Sequence, residues 1–182
     1  TRRSQCTSLR HRKSAFVNEK EIKEDLITWM KDFVEKPHPS LGNWSPCPYA
    51  RQARMNDKID IVFADPNYLQ FVVREQTLKL DTYEAIIIAM NHKDIGPKQL
   101  AKSCNDWNSN WLMKEDYVLL EDHPETVEHV NGVHMNFGKC ALVILQKLSK
   151  LNEASETLAR KGYYDVWGEA EKNFVVDWRF NK

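Results

Sequence analysis

The sequence predicts an α+β fold, in which a small mixed or antiparallel sheet is covered by about three main helices. Three observations predict it. Ile59, Ile61 and Phe63 alternate with Asp60 and Val62, and Ala85-Ile-Ile-Ile-Ala-Met90 is a continuous β-branched run. Elsewhere apolar residues recur in steps of three and four. The length of 182 residues, 42% of them apolar, suits one core, since a domain usually takes about 100–200 residues.

Residues 1–17 are set apart by composition. They hold Arg2, Arg3, Arg10, Arg12 and Lys13 and no acid, and they lack an apolar period. The expectation is a flexible basic arm, 1–17, followed by one domain, 18–182. The start at Thr1 suits a processed or extended terminus, and an Arg- and Ser-rich stretch without acids also has the composition of an organelle transit peptide.

The first helix is expected over 19–35. Asn18 and Glu21 have capping-box spacing, Ile22, Leu26, Met30 and Phe33 form one face, and Pro37 stops the helix. Four prolines between Lys36 and Pro48 forbid a long regular element there, and a short helix is expected from Pro48 to Met55. Strands follow at 59–63, at Tyr68–Val73 and at 85–90. Pro97 suits a first helical position, and Leu100, Cys104, Trp107 and Trp111 give a helix over 97–113. With strand 85–90 and a short strand at 117–120 it makes a right-handed βαβ unit. Trp107 and Trp111 could stack on a flat ligand, but their spacing marks them as core. Asp122, Pro124 and Glu125 predict a two-turn helix ended by Asn131-Gly132. Phe137, Ala141, Ile144, Leu148, Leu151, Ser155 and Leu158 predict a long helix over 137–161. The alternative for this segment is a buried strand at 140–145 feeding a helix at Ser149. The aromatic tail, from Tyr163 and Tyr164 to Phe180, is expected to pack on the body.

Charge and motifs exclude several functions. The net charge is zero, but with five bases in 1–17 the rest of the chain sums to −5. A body of that sign is a poor partner for a phosphate backbone, so nucleic acid is not the expected partner. No apolar run approaches about 18 residues, so no membrane helix is expected. Cys6, Cys47, Cys104 and Cys140 are dispersed, as reduced thiols of a cytoplasmic protein would be. No GxxxxGK[ST], GxGxxG or GxSxG motif is present, and no cofactor is indicated.

Three groups of residues can carry chemistry. A helix opening at Pro48 puts Cys47 at its positive end, with Arg51 and Arg54 one and two turns on. Such a field favours thiolate. His38, His123 or His129 would be its base. Cys47 is otherwise a small apolar residue in a turn, and His38 a surface histidine between two prolines. The segment 121–134 holds Glu121, Asp122, Glu125, Glu128, His123, His129 and His134, enough for a metal site or an acid–base pair. Glu125 and His129 would share a helical face. The histidine spacings of six and five match no helical zinc motif, and a capped surface helix explains the segment equally. The third group is the aromatic tail, which could recognise a partner.

Cys47-Pro48-Tyr49-Ala50 resembles the active-site turn of glutaredoxins and the Cys-Pro-Phe-Ala turn of omega-class glutathione transferases, where the motif directly follows the first strand. Together with Trp29 and His123-Pro124 it also resembles an uncharacterised bacterial family of small α+β proteins, which carries Leu-Cys-Pro-Phe-Ala between a Trp-bearing helix and its strands. That resemblance implies a shared fold and a site near the cysteine turn, and no reaction. The sequence therefore leaves three functions open. They are a thiol-centred enzyme at Cys47, redox or nucleophilic; a non-catalytic binding or accessory protein using the aromatic C-terminal surface; and a metal-binding protein using His123, His129 and His134.

Overall fold

A computed structural model describes residues 18–180; the basic arm expected at 1–17 lies outside them. The architecture is α+β. Six α-helices are described: α1 Glu19–Trp29, α2 Ala50–Met55, α3 Leu69–Thr77, α4 Pro97–Trp107, α5 Leu148–Arg160 and α6 Glu169–Val175. The strands are β1 Ile59–Phe63, β2 Ala85–Met90, β3 Tyr117–Asp122, β4 His129–Val130, β5 Val133–His134 and β6 Ala141–Lys147. The main sheet is mixed, in the order β1-β2-β6-β3. Strands β1 and β2 are parallel, and β6 is antiparallel to both β2 and β3. Strands β2 and β3 thus run the same way, joined through α4 as expected, but β6 lies between them and splits the βαβ unit.

The sheet has a helical layer on each face. Ile86, Ile88 and Met90 of β2 pack with Leu69 and Val73 of α3 and Leu100 and Cys104 of α4. Ile87 and Ala89 of β2 pack on the other face with Leu26 of α1 and Ala50 of α2. A strand buried on both faces reads as a continuous apolar run, and β2 does so.

Three expectations are corrected. Tyr68–Val73 is helical: Tyr68 ends a 3-10 turn, and Leu69–Val73 open α3. Its buried residues Leu69, Val72, Val73, Gln76 and Thr77 keep helical spacing. Pro66 opens the preceding turn, with the Asp65 carboxylate accepting from Asn67 N–H at 2.9 Å. The long helix at 137–161 is β6 followed by α5, the alternative noted for that segment. Ala141, Leu142, Val143 and Leu145 are needed in the middle of the sheet, where both faces are apolar. The helix at 122–131 is absent. Asp122 ends β3, and its carboxylate accepts from Phe137 N–H at 2.9 Å and Asn136 Nδ2 at 2.8 Å instead of capping a helix. Asn131 and Gly132, with φ of +47° and +78°, form the two-residue turn of the β4–β5 hairpin, a pairing that suits a primed turn. The helices expected over 19–35 and 97–113 are present, and α1 and α4 each finish in a π-helical turn, Met30–Val34 and Asn108–Leu112. Such turns often occur at functional sites.

The tail packs on the body in part. Tyr163, Val176 and Arg179 are buried, and Phe174 and Phe180 are exposed. Trp107 and Trp111 are half-buried against the core beneath α3, and the Arg74 guanidinium lies 4.2 Å from the Trp111 ring centre, a cation–π contact. No helix among the described residues is long and apolar enough to cross a membrane.

Candidate functional site

The π turn after α1 organises the surroundings of Cys47. Glu35 N–H reaches back to Met30 O at 2.9 Å, and this turn directs two groups toward the Pro-rich loop. Val34 O accepts from Cys47 N–H at 3.1 Å. Glu35 accepts a two-pronged ion pair from Arg54, with Nε at 2.6 Å from Oε1 and Nη2 at 2.9 Å from Oε2. Cys47 O in turn accepts from Ala50 N–H at 3.1 Å, leading the chain into α2. The Cys47 sulfur receives the N–H groups of Tyr49 and Ala50. It lies within electrostatic reach of Glu35, Tyr163 and Tyr164.

The residue is exposed and stands just ahead of a helix, but the positive field expected around it is missing. Part of the residue reaches solvent, but desolvation of the sulfur is the largest influence and pushes the thiol up. The two backbone N–H groups act in the opposite sense, and the Glu35 carboxylate adds to the rise. The Arg54 and Arg51 charges act on Glu35, which they hold below its ordinary value together with Lys31; the Arg54 hydrogen bonds are the largest cause. The assignment of Arg51 and Arg54 as stabilisers of a Cys47 anion is therefore corrected: an intervening carboxylate takes their charge. His38 is also occupied elsewhere. Its Nδ1 accepts from Ser40 N–H at 3.2 Å, capping the turn Pro39–Leu41. We expect iodoacetamide to modify Cys47 slowly at neutral pH, with a midpoint above the free-thiol value of about 8.5. Glu35→Gln should move that midpoint down, because it removes the nearest anion and releases Arg54. A rate profile from pH 6 to 10 checks both.

The three histidines of the proposed metal site are not brought together. His123 is 1% exposed. Its Nε2 hydrogen-bonds Ile95 O at 2.9 Å, and its Nδ1 accepts from Glu125 N–H at 3.1 Å. Both ring nitrogens are thus in use, holding the end of β3 to the loop before α4. His129 and His134 face each other across the hairpin, ring centres 5.4 Å apart. Among the described residues, no group of three or more His, Cys, Asp or Glu could hold a metal. The shared helical face expected for Glu125 and His129 is also absent, since the segment is not helical.

The carboxylates of the same segment are brought together. Burial raises Glu121 and Asp122. It lifts Glu128 to about 7, assisted by the Asp122 and Glu121 charges. Glu128 sits on the near arm of the hairpin, where its N–H donates to Asn136 Oδ1 at 2.9 Å.

Glu128 also borders a groove of about 430 Å3 between the hairpin and α6. Val130, Met135 and Trp167 belong to a third apolar cluster, which includes Leu41 and Val133, and they form part of its wall. Pro46, Val127, Ala170, Phe174 and Val175 complete the apolar lining, and Glu128, His129 and Glu171 supply the ionisable groups. Phe174 and Val127 are 60% and 68% exposed. Polar bonds fix the groove's shape. Glu171 Oε1 accepts from Asn131 N–H at 3.2 Å, and its Oε2 accepts from Gly168 N–H at 2.6 Å, where α6 begins. Asn131 Nδ2 donates to Ser40 O at 2.6 Å, tying the hairpin tip to the Pro-rich loop. A second cavity, of about 460 Å3, adjoins the cysteine turn and is lined by Trp44, Pro48, Tyr49, Gln52, Leu158 and Lys161, among others.

Sequence reasoning separated the 121–134 segment from the aromatic tail, yet they form two walls of one groove. The signal available was Asn131-Gly132, which marks a hairpin as readily as a helix end. Glu171 carried no signal, because a glycine at the N-cap hides the capping pattern. No protein-family model, curated protein or solved structure matches the chain.

Proposed function

We propose that the chain is a non-catalytic binding protein whose ligand seat is the groove between the β4–β5 hairpin and α6. The observation that carries this reading is a preformed concavity whose apolar side chains, Phe174 and Val127, stand in water beside a carboxyl raised to about 7. Its volume lies in the range of about 300–1,000 Å3 usual for small-molecule pockets, which combine mostly apolar walls with a few polar groups. Perturbed carboxyls cluster at such sites. The ligand expected is a small molecule with an apolar body.

Amide chemical-shift mapping with a library of water-soluble aromatic fragments tests the reading. Shifts concentrated at 126–130 and 167–175 are expected. Fragments that shift only the residues around 44–56 would move the site to the second cavity and overturn the groove.

A second reading keeps Cys47 as the working group, a thiol-centred enzyme. What favours it is the pair of backbone N–H groups on its sulfur and the cavity beside its turn. The likeness to the glutaredoxin turn points the same way, although here the tetrapeptide precedes the first strand. The alkylation profile described above separates this reading from the first, since a nucleophilic thiol would show a midpoint below that of free cysteine.

A further inference from the structure

We infer that the ligand of the groove is an organic cation, an ammonium group carried on an aromatic or apolar body, with its charge at the Glu128 and Glu171 carboxylates and its body against Trp167 and Phe174. The inference rests on the groove being the ligand seat and adds the chemical class of what it holds.

The charge of the groove is complementary to a cation. The charged groups that line the groove are Glu128 and Glu171, and neither Lys nor Arg lines it. The Glu171 carboxylate is held in place by the Asn131 and Gly168 N–H groups. It is therefore oriented before any ligand arrives, which lowers the ordering cost of binding. An anionic ligand would meet two carboxyls in a partly desolvated space. A cation meets opposite charge there.

Trp167 and Phe174 both line the groove. Aromatic faces attract ammonium groups within about 6 Å, by roughly 0.5–2 kcal/mol. Aromatic rings next to carboxylates, with no competing base, are the combination that recognises organic ammonium compounds.

Glu128 feels the charges of Glu121 and Asp122 on β3. Asp122 is in turn influenced by His123 and His134. On the hairpin, His129 and His134 stand beside each other, and Glu171 faces from α6. Three neighbouring carboxyls without a basic partner at Glu128 repel one another. A bound ammonium supplies the missing charge and favours the ionised form of Glu128, so ammonium binding should release a proton near neutral pH.

Calorimetric titration of the full chain at pH 8 with three probes tests the inference: 2-phenylethylammonium, 2-phenylethanol and 3-phenylpropanoate. The ammonium should bind at least tenfold more tightly than the alcohol, and the propanoate most weakly. Between pH 8 and pH 6 the affinity of the ammonium should fall by up to about tenfold as Glu128 takes up its proton, while that of the alcohol stays level. Glu128→Gln, with folding verified by a cooperative melt, should remove the pH dependence and reduce the preference, leaving the part that Glu171 supplies. An alcohol that binds as tightly as the ammonium overturns the cation assignment and leaves the groove standing. If none of the probes shifts the amides of Val127 or Phe174, the groove reading fails as well.

Discussion

Arg54→Ala should destabilise the chain by about 2 kcal/mol, less than removing one partner of a fully buried ion pair costs, because the pair is part-buried. The Glu35 side chain is only 5% exposed and that of Arg54 25%. The two make parallel bonds of 2.6 and 2.9 Å, the planar match that arginine gives a carboxylate and lysine does not. Alanine leaves a nearly dry carboxylate beside Cys47 with no partner. Arg54→Lys should lose roughly half as much. Arg51→Ala, at an exposed position, should stay within about 0.5 kcal/mol. The pair also sets a pH dependence. The folded-state value of Glu35 is lowered, so its contribution is complete above the ordinary glutamate range. It fades as pH falls through the depressed value. The gap between wild type and Arg54→Ala in urea unfolding should therefore be full at pH 7 and narrow in acid. An unchanged gap at low pH would mean that packing, not charge, underlies the effect.

Asn108→Ala should cost as much or more, about 3–4 kcal/mol. Asn108 opens the π turn after α4 and is 1% exposed. Its Nδ2 donates to Leu119 O at 2.9 Å and its Oδ1 accepts from Leu119 N–H at 2.8 Å. Leu119 is in β3, the last strand of the sheet, and is fully buried. One side chain thus does for Leu119 what a further strand would do, closing an edge that would otherwise carry unpaired groups. Alanine leaves a buried donor and a buried acceptor unmet, at about 1–3 kcal/mol each. For a domain of this size the melting temperature should fall by about 10 °C. Asn110→Ala, an exposed change in the same π turn, should leave it almost unaltered. A drop of under 2 °C for Asn108→Ala would show that water replaces both bonds.

The parts of the fold visible in the sequence are those where a single local pattern decides. Asn18 with Glu21 marked the start of α1, and the cap is formed as expected, Asn18 Oδ1 accepting from Glu21 N–H at 3.2 Å. Ile86 to Met90 gave a two-faced buried strand, and Pro97 gave the start of α4. Errors arose where two periods coincide. The apolar positions from Phe137 to Leu158 keep helical steps across a strand-to-helix junction, because β6 needs apolar residues on both faces and so satisfies any spacing. Val72 and Val73 suggested a strand, but their neighbours at 69, 76 and 77 are buried with them. At the candidate site the difficulty was different. The field at Cys47 depends on Glu35, twelve residues away and placed by a π turn that no local signal announces. The groove depends on Glu128 and Glu171 facing one space from elements 43 residues apart. Charge counts along a window cannot show which carboxylate intercepts an arginine, or which two acids share a pocket.

The Glu128 carboxyl is a partly dry group of the groove, poised to change charge near neutral pH. A carbon-detected NMR titration of the glutamate side chains measures this directly. The account predicts a Glu128 midpoint near 7, displaced downward when 2-phenylethylammonium is bound. A midpoint in the ordinary range of about 4–4.5, unmoved by the ammonium probe, would contradict it.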